Sequence, residues 1–381
     1  LLVRHNDSKL VLWQLDERRE VATLEHEGWP RFCRFSPDSR SLLVAVSAPG
    51  RDREKNQVLL WDVESQQIIW RFEKARTCLD AEFSRDGVHL VTSTVRGNDP
   101  NKVTVWNTAT QEEVQRLNID KRGERHRVQN ATIDFSPDGK LLVTSSHVGA
   151  TIWDTSNWQR LRMLTGSSDT RMARFSPDGR QVFAACQGSS AKAPLGVRVW
   201  NVETGKPVAM TTFDHAADER CYCQFTLAPD GRSLVTVAGI WDRRTTYHLR
   251  HTMKLWDFAS GREIILQHFA VERHYWLGGS FAFSPNGVYF GMAPWEMHPR
   301  IALFDAKSWL PKQTLDMTVS DDAKVPSTAW PRTVRGLHFS PDGRWLAATR
   351  NLHASPEHEV FLWELRNDAV AAPLDNTTGD R

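Results

Sequence analysis

The chain repeats itself, and that repetition limits its fold more than anything else in it. Seven segments share one form: FSPDS at 35–39, FSRDG at 83–87, FSPDG at 135–139 and 175–179, FTLAPDG at 225–231, FSPNG at 283–287 and FSPDG at 339–343. Between them runs a second signature, alternating residues followed by an aromatic and usually Asp or Asn. Its cases are VLLWD, VTVWN, ATIWD, VRVWN, MKLWD, IALFD and VFLWE, and Trp13 holds the same slot near the start. Successive aromatics of this series are 48, 45, 47, 47, 56, 48 and 59 residues apart.

Each unit reads as four short strands. An inner strand ends at the Phe; in the third unit Ile133 and Phe135 point one way and Asp134 the other. Pro-Asp-Gly then makes a tight turn, because Pro fixes φ and Gly accepts positive φ. The second strand follows, as at 141–145, the third carries the Trp, and a weaker fourth ends the unit, as at 160–164. No helix-period pattern of ten residues is present. One such unit cannot bury both of its faces, so neighbouring units must stack.

The interleaved motifs resemble the WD40 β-propellers over essentially the whole chain. The resemblance implies an all-β fold, a single β-propeller of four-stranded antiparallel blades. The Gly-His pair common in that family is degraded here, with Glu25-His26, Gly166-Ser167, Asp214-His215 and Gln267-His268 as the nearest matches. Seven inner-strand units fill 29–375, residues 1–24 form a partial unit, and 376–381 are a tail. Two closures are open. Residues 20–24 complete the last blade of a seven-bladed ring, or an eighth blade lacks its inner strand. The start, inside a strand and without Met, reads as a piece of a longer chain. Such repeats also resemble regions of large bacterial proteins that join propellers to signalling domains.

Lys plus Arg number 48 and Asp plus Glu 46, a net charge of +2, which excludes a uniformly basic nucleic-acid binder. Five cysteines do not make a disulfide framework, which favours a cytoplasmic setting. No apolar run reaches the ~18 residues of a membrane-spanning helix.

In a propeller the Pro-Asp-Gly turns and the turns after the Trp share one side, the bottom. Here they are short. The extra residues go to the other side, the top: 47–57, 94–102, 187–196, 239–252, 293–300 and 350–359 within units, and 118–130, 214–220, 268–278 and 316–333 between them. Only the turn at 147–150 is short there. Loop drift should strike both sides alike, so a recognition surface or a cap over the channel is expected on the top. Five aromatics in these inserts, Trp241, Tyr247, Trp276, Trp295 and Trp330, read either as a satellite cluster or as contact residues.

By family resemblance, residues six and four before the inner-strand Phe face the channel mouth and touch partners. The first set is Trp29, Thr77, Gln129, Asp169, Glu219, Leu277 and Thr333; the second is Arg31, Leu79, Ala131, Arg171, Cys221, Gly279 and Arg335. Trp29 with Arg31 suits an interface hot spot. Arg31, Arg171 and Arg335 suit bidentate capture of a carboxylate or phosphate, or else pair with Asp169, Glu219 or a loop carboxylate.

Catalytic motifs are missing: there is no P-loop, dinucleotide fingerprint, zincin motif, nucleophile elbow or kinase signature. His248 with His251, and His353 with His358, supply two ligands each where a metal site wants three or four. Cys223 and Cys33 take a core slot. The expectation is a non-enzymatic scaffold for a protein or peptide, without cofactor or metal. Nucleic acid is disfavoured because aromatics do not interleave with the basic residues. The alternative is a small-ligand-binding or catalytic propeller with a polar site at the mouth.

Overall fold

The computed structural model describes residues 2–5, 9–17, 19–26, 28–48, 56–72, 78–96, 99–119, 132–146, 149–164, 170–187, 195–214, 219–242, 249–257, 262–271, 280–293, 300–317, 334–351, 358–366 and 369–370. The fold is an all-β propeller of seven four-stranded antiparallel blades, preceded by a three-stranded sheet. No helix occurs among the described residues. The blades span 29–71, 78–118, 133–164, 170–210, 219–271, 281–316 and 334–370, and each takes its strands in chain order. The chain divides into two compact units, Leu1–Phe225 with Thr236–Thr246, and Thr226–Val235 with Tyr247–Arg381.

The motif arithmetic is met strand by strand. Inner strands end at Phe35, Phe83, Phe135, Phe175, Phe283 and Phe339; in blade 5 the two extra residues of FTLAPDG carry the strand on to Leu227. In the first unit each blade lays one face on the next. Val91, Val103, Val105 and Leu117 of blade 2 meet Ile133, Phe135, Leu142 and Trp153 of blade 3. Val143, Ala150, Ile152 and Leu164 of blade 3 meet Ala173, Phe175, Val182 and Trp200 of blade 4. Trp61, Trp106, Trp153, Trp200 and Trp363 therefore pack backward, each onto the preceding sheet. In the second unit Ile301, Leu303 and Leu315 meet Leu337, Leu346 and Trp363 in the same way. Trp61, Trp106, Trp153, Trp200 and Trp363 are buried. Trp13 and Trp256 are only half-buried. Trp13 has no described sheet before its own, and Trp256 carries the Lys254 ammonium 5.7 Å from its ring centre.

The FSPDG segment does more than turn. Ser136 Oγ donates to Asp138 Oδ1 at 2.6 Å and accepts from the Leu141 N–H at 2.9 Å, while Asp138 Oδ1 accepts from the Lys140 N–H at 3.1 Å. Gly139 closes the turn at φ 73°, where a side chain is disfavoured. The same brace recurs from Ser36, Ser84, Ser176, Ser284 and Ser340.

Three expectations are corrected. Residues 20–24 do not complete the last blade: Arg19–Glu25 pairs with Lys9–Gln14, and Ala369–Val370 takes the fourth place beside His358–Arg366. The connection at 94–102 is no long loop, because strands His89–Arg96 and Asp99–Asn107 continue their ladder to an Asp99–Arg96 pair. Most of 239–252 is likewise strand, Ser233–Asp242 and Leu249–Asp257, and Trp241 lies on the first of these. Residues inserted there lengthen the ladder instead of leaving it.

Candidate functional site

At their starts four of the inner strands share an irregularity. In blade 1 Pro30 pairs with Val46 and Phe32 with Ala45, so Arg31 stands outside the ladder. The same slip releases Leu79 between Cys78 and Asp80, Arg171 between Thr170 and Met172, and Arg335 between Val334 and Gly336. A bulge of this kind bends the strand and re-aims the extra side chain. Arg31 is exposed, and Leu79 and Arg171 are half-buried. Four of the seven residues placed four before the Phe thus occupy one recurrent bulge. Arg31 and Arg171 belong to the first compact unit and Arg335 to the second.

Of the remaining candidates, Trp29 and Glu219 begin the strands Trp29–Phe35 and Glu219–Leu227, and Cys221 is half-buried on the latter. Thr77, Gln129, Ala131, Asp169, Leu277, Gly279 and Thr333 lie outside the described residues, as do Tyr247, Trp276, Trp295, Trp330, His248 and His353. His251 and His358 lie on strands. Among the described residues no three His, Cys, Asp or Glu side chains converge as metal ligands. Cys223 is buried, and burial raises its thiol pKa, so it is not a thiolate nucleophile. Cys33 is half-buried beside the core of the first sheets.

Sequence reasoning missed a row of charge on the inner strands of blades 1 to 4. The residue just before the Phe is Arg34, Glu82, Asp134 and Arg174 in turn, and Asp80 sits two before Glu82. Arg34 Nη2 lies 3.8 Å from Asp80 Oδ1, and Arg174 Nε lies 3.9 Å from Asp134 Oδ1. Both aspartates also reach across to the next blade. Asp80 Oδ2 accepts from the Ile133 N–H at 3.0 Å, and Asp134 Oδ2 from the Phe175 N–H at 2.6 Å. Thr132 Oγ1 adds a third bond of this kind, accepting from the Ala173 N–H at 3.0 Å. These bonds stitch consecutive inner strands that share no ladder. Burial, then the Asp134 charge, pushes the Glu82 carboxyl up to about 8. Burial also raises Asp134, against the opposing pull of Arg174. The signal was present in RFSPD, EFSRD, DFSPD and RFSPD.

Comparison with known proteins adds the following. The family described as cytochrome D1 heme domain matches residues 4–131, and eukaryotic translation initiation factor eIF2A matches residues 94–219. Each covers well under half of the chain. The Periodic tryptophan protein 2 homolog of Caenorhabditis elegans is 22% identical over 304 residues, 76% of this chain and 29% of that protein. The eIF2A match and this relative support a WD40-type propeller. The chain spans under a third of that relative's length. Among solved structures, the dihydro-heme d1 dehydrogenase NirN in complex with DHE superposes with a TM-score of 0.65 at 14% identity, covering 97% of this chain and 71% of that one. Kuenenia stuttgartiensis hydrazine synthase does so with a TM-score of 0.58 at 15% identity, covering 89% and 97%. At such identities these two show the fold alone.

A heme would need an axial donor on an open face. Among the buried side chains of 4–131, His26 has both ring nitrogens without a hydrogen-bond partner, and at 8% exposed it presents no open face. His26 therefore does not fit as an axial ligand to that group.

Proposed function

We propose that this propeller is a non-enzymatic scaffold that binds a protein or peptide partner at the loop-bearing end of its inner strands. The recurrent bulge at Arg31, Leu79 and Arg171 of the first unit carries the reading: a re-aimed side chain in three of its blades, two of them arginine, is what a rigid recognition rim needs. Arginine is favoured at such rims because its planar fork pairs with carboxylate or phosphate. The WD-repeat relative supports the same reading.

The test is quantitative affinity capture from cell extract with the unmodified chain, the double variant Arg31→Glu and Arg171→Glu, and a control, Val208→Arg, on the exposed outer strand. Loss of a hot spot costs about 2 kcal/mol or more, so at least one captured protein should fall by roughly 30-fold in the double variant alone. Identical capture profiles for all three folded proteins would remove the rim from consideration.

A further inference from the structure

The inner-strand row holds three carboxyls and two guanidiniums. Both guanidiniums are committed at its two ends: Arg34 to Asp80, Arg174 to Asp134 and to the Ile133 carbonyl, the last at 2.9 Å. Both aspartates are committed to the next blade's backbone. Glu82 sits between the two pairs, half-buried, opposite Val91 in the ladder, and its carboxyl makes no side-chain hydrogen bond among the described residues. Its neighbours are Asp80 on its own strand, Arg34 on Trp29–Phe35, Asp134 on Ile133–Phe135 and Arg174 on Thr170–Phe175. With Glu82 neutral the row balances, two cations against two anions. With Glu82 ionised it carries one uncompensated negative charge between two aspartates.

We propose that Glu82 holds a proton in the folded chain at neutral pH, and that its loss loads negative charge onto the clamp joining blades 1 to 4, making this row a pH-sensitive element. Desolvation and the Asp134 and Asp80 charges act in the same direction here, and they outweigh the opposing pull of Arg174 and Arg34, each of which is already paired with an aspartate. The linkage follows. The folded chain keeps a proton that the unfolded chain has released, so Glu82 costs stability progressively as pH rises from the ordinary glutamate range towards 8. That cost is complete above it.

Melting temperatures of the unmodified chain and Glu82→Gln should be compared from pH 5 to pH 9. Gln mimics the protonated acid, so the unmodified chain should lose on the order of 2–4 °C relative to the variant across that range. Parallel curves would overturn the proposal. Should the variant not fold, infrared spectra of the unmodified chain decide. A protonated-carboxyl stretch should be present at pH 7, shift on labelling with carbon-13 glutamate and vanish by pH 10. Absence of the band at pH 7, or its failure to shift with labelled glutamate, equally overturns it.

Discussion

The presence or absence of one threonine hydroxyl separates two kinds of tryptophan in this molecule. Trp106 Nε1 donates to Thr92 Oγ1 and Trp153 Nε1 to Thr144 Oγ1, each at 2.9 Å. Both threonines lie two residues beyond the leucine paired with the Trp, Leu90 and Leu142. Val44 holds that place for Trp61, and Ala348 holds it for Trp363; both indole N–H groups are buried without a partner. Thr and Val have nearly one shape, so the exchange isolates the bond. Thr92→Val should cost about 1–3 kcal/mol by orphaning a buried donor, and Val44→Thr should gain about 1 kcal/mol or less. Urea unfolding of both variants checks this; a Thr92→Val protein as stable as its parent would contradict it. The sequence announced the Trp slot through its spacing. It did not announce the partner, which is set by the register between two strands.

At the element scale, six Ser-braced turns stand out. Each hydrogen-bonded Asp (Asp38, Asp86, Asp138, Asp178 and Asp342) has its carboxyl held below the usual range, first by the serine hydroxyl and then by a backbone N–H. Their folded pKa is depressed, so the stability they add is present above the unfolded aspartate value of about 3.9 and lost as pH falls through the folded one. Asn286 is a built-in control, since Ser284 Oγ donates to its Oδ1 at 2.7 Å without any titrating group. Replacing the other five with Asn should preserve the turns while flattening the loss of stability between about pH 4 and pH 2. Acid titration followed by near-ultraviolet circular dichroism measures it, and an unchanged acid midpoint would refute it. The Pro-Asp-Gly run made these turns legible as turns. The brace was hidden because it needs the N–H five residues on from the Ser, where residue type is free. The inner-strand bulges were hidden for a related reason. A bulge is an offset between two strands, which residue type alone does not fix: Leu79 takes the same place as Arg31 and Arg171.

For the whole molecule, stacking was legible and the treatment of its first member was not. The three-stranded sheet at the start covers the exposed face of blade 1, where Leu10, Leu12, Ala22 and Leu24 meet Leu42, Val44, Val46, Leu59 and Trp61. Two uses of residues 20–24 were compatible with the repeat, because both would bury the same apolar positions; strand pairing decides between them. Removing residues 1–25 should uncover that face, lower the melting temperature and raise binding of an apolar dye. A truncated chain that melts like the full one, with no dye signal, would show that another surface substitutes for the missing sheet. The charged row escaped notice at this scale too. Each charge looks ordinary within its own repeat and acquires a partner only from the repeat beside it.

The backward packing of the buried signature Trp residues has a consequence for synthesis. Between the first sheet and blade 4, every blade-to-blade core joins segments that leave the ribosome one directly after the other. An emerging blade therefore finds its apolar seat already built. Exposure of unfinished surface is confined to the newest blade, which shortens the window in which chaperones must guard it.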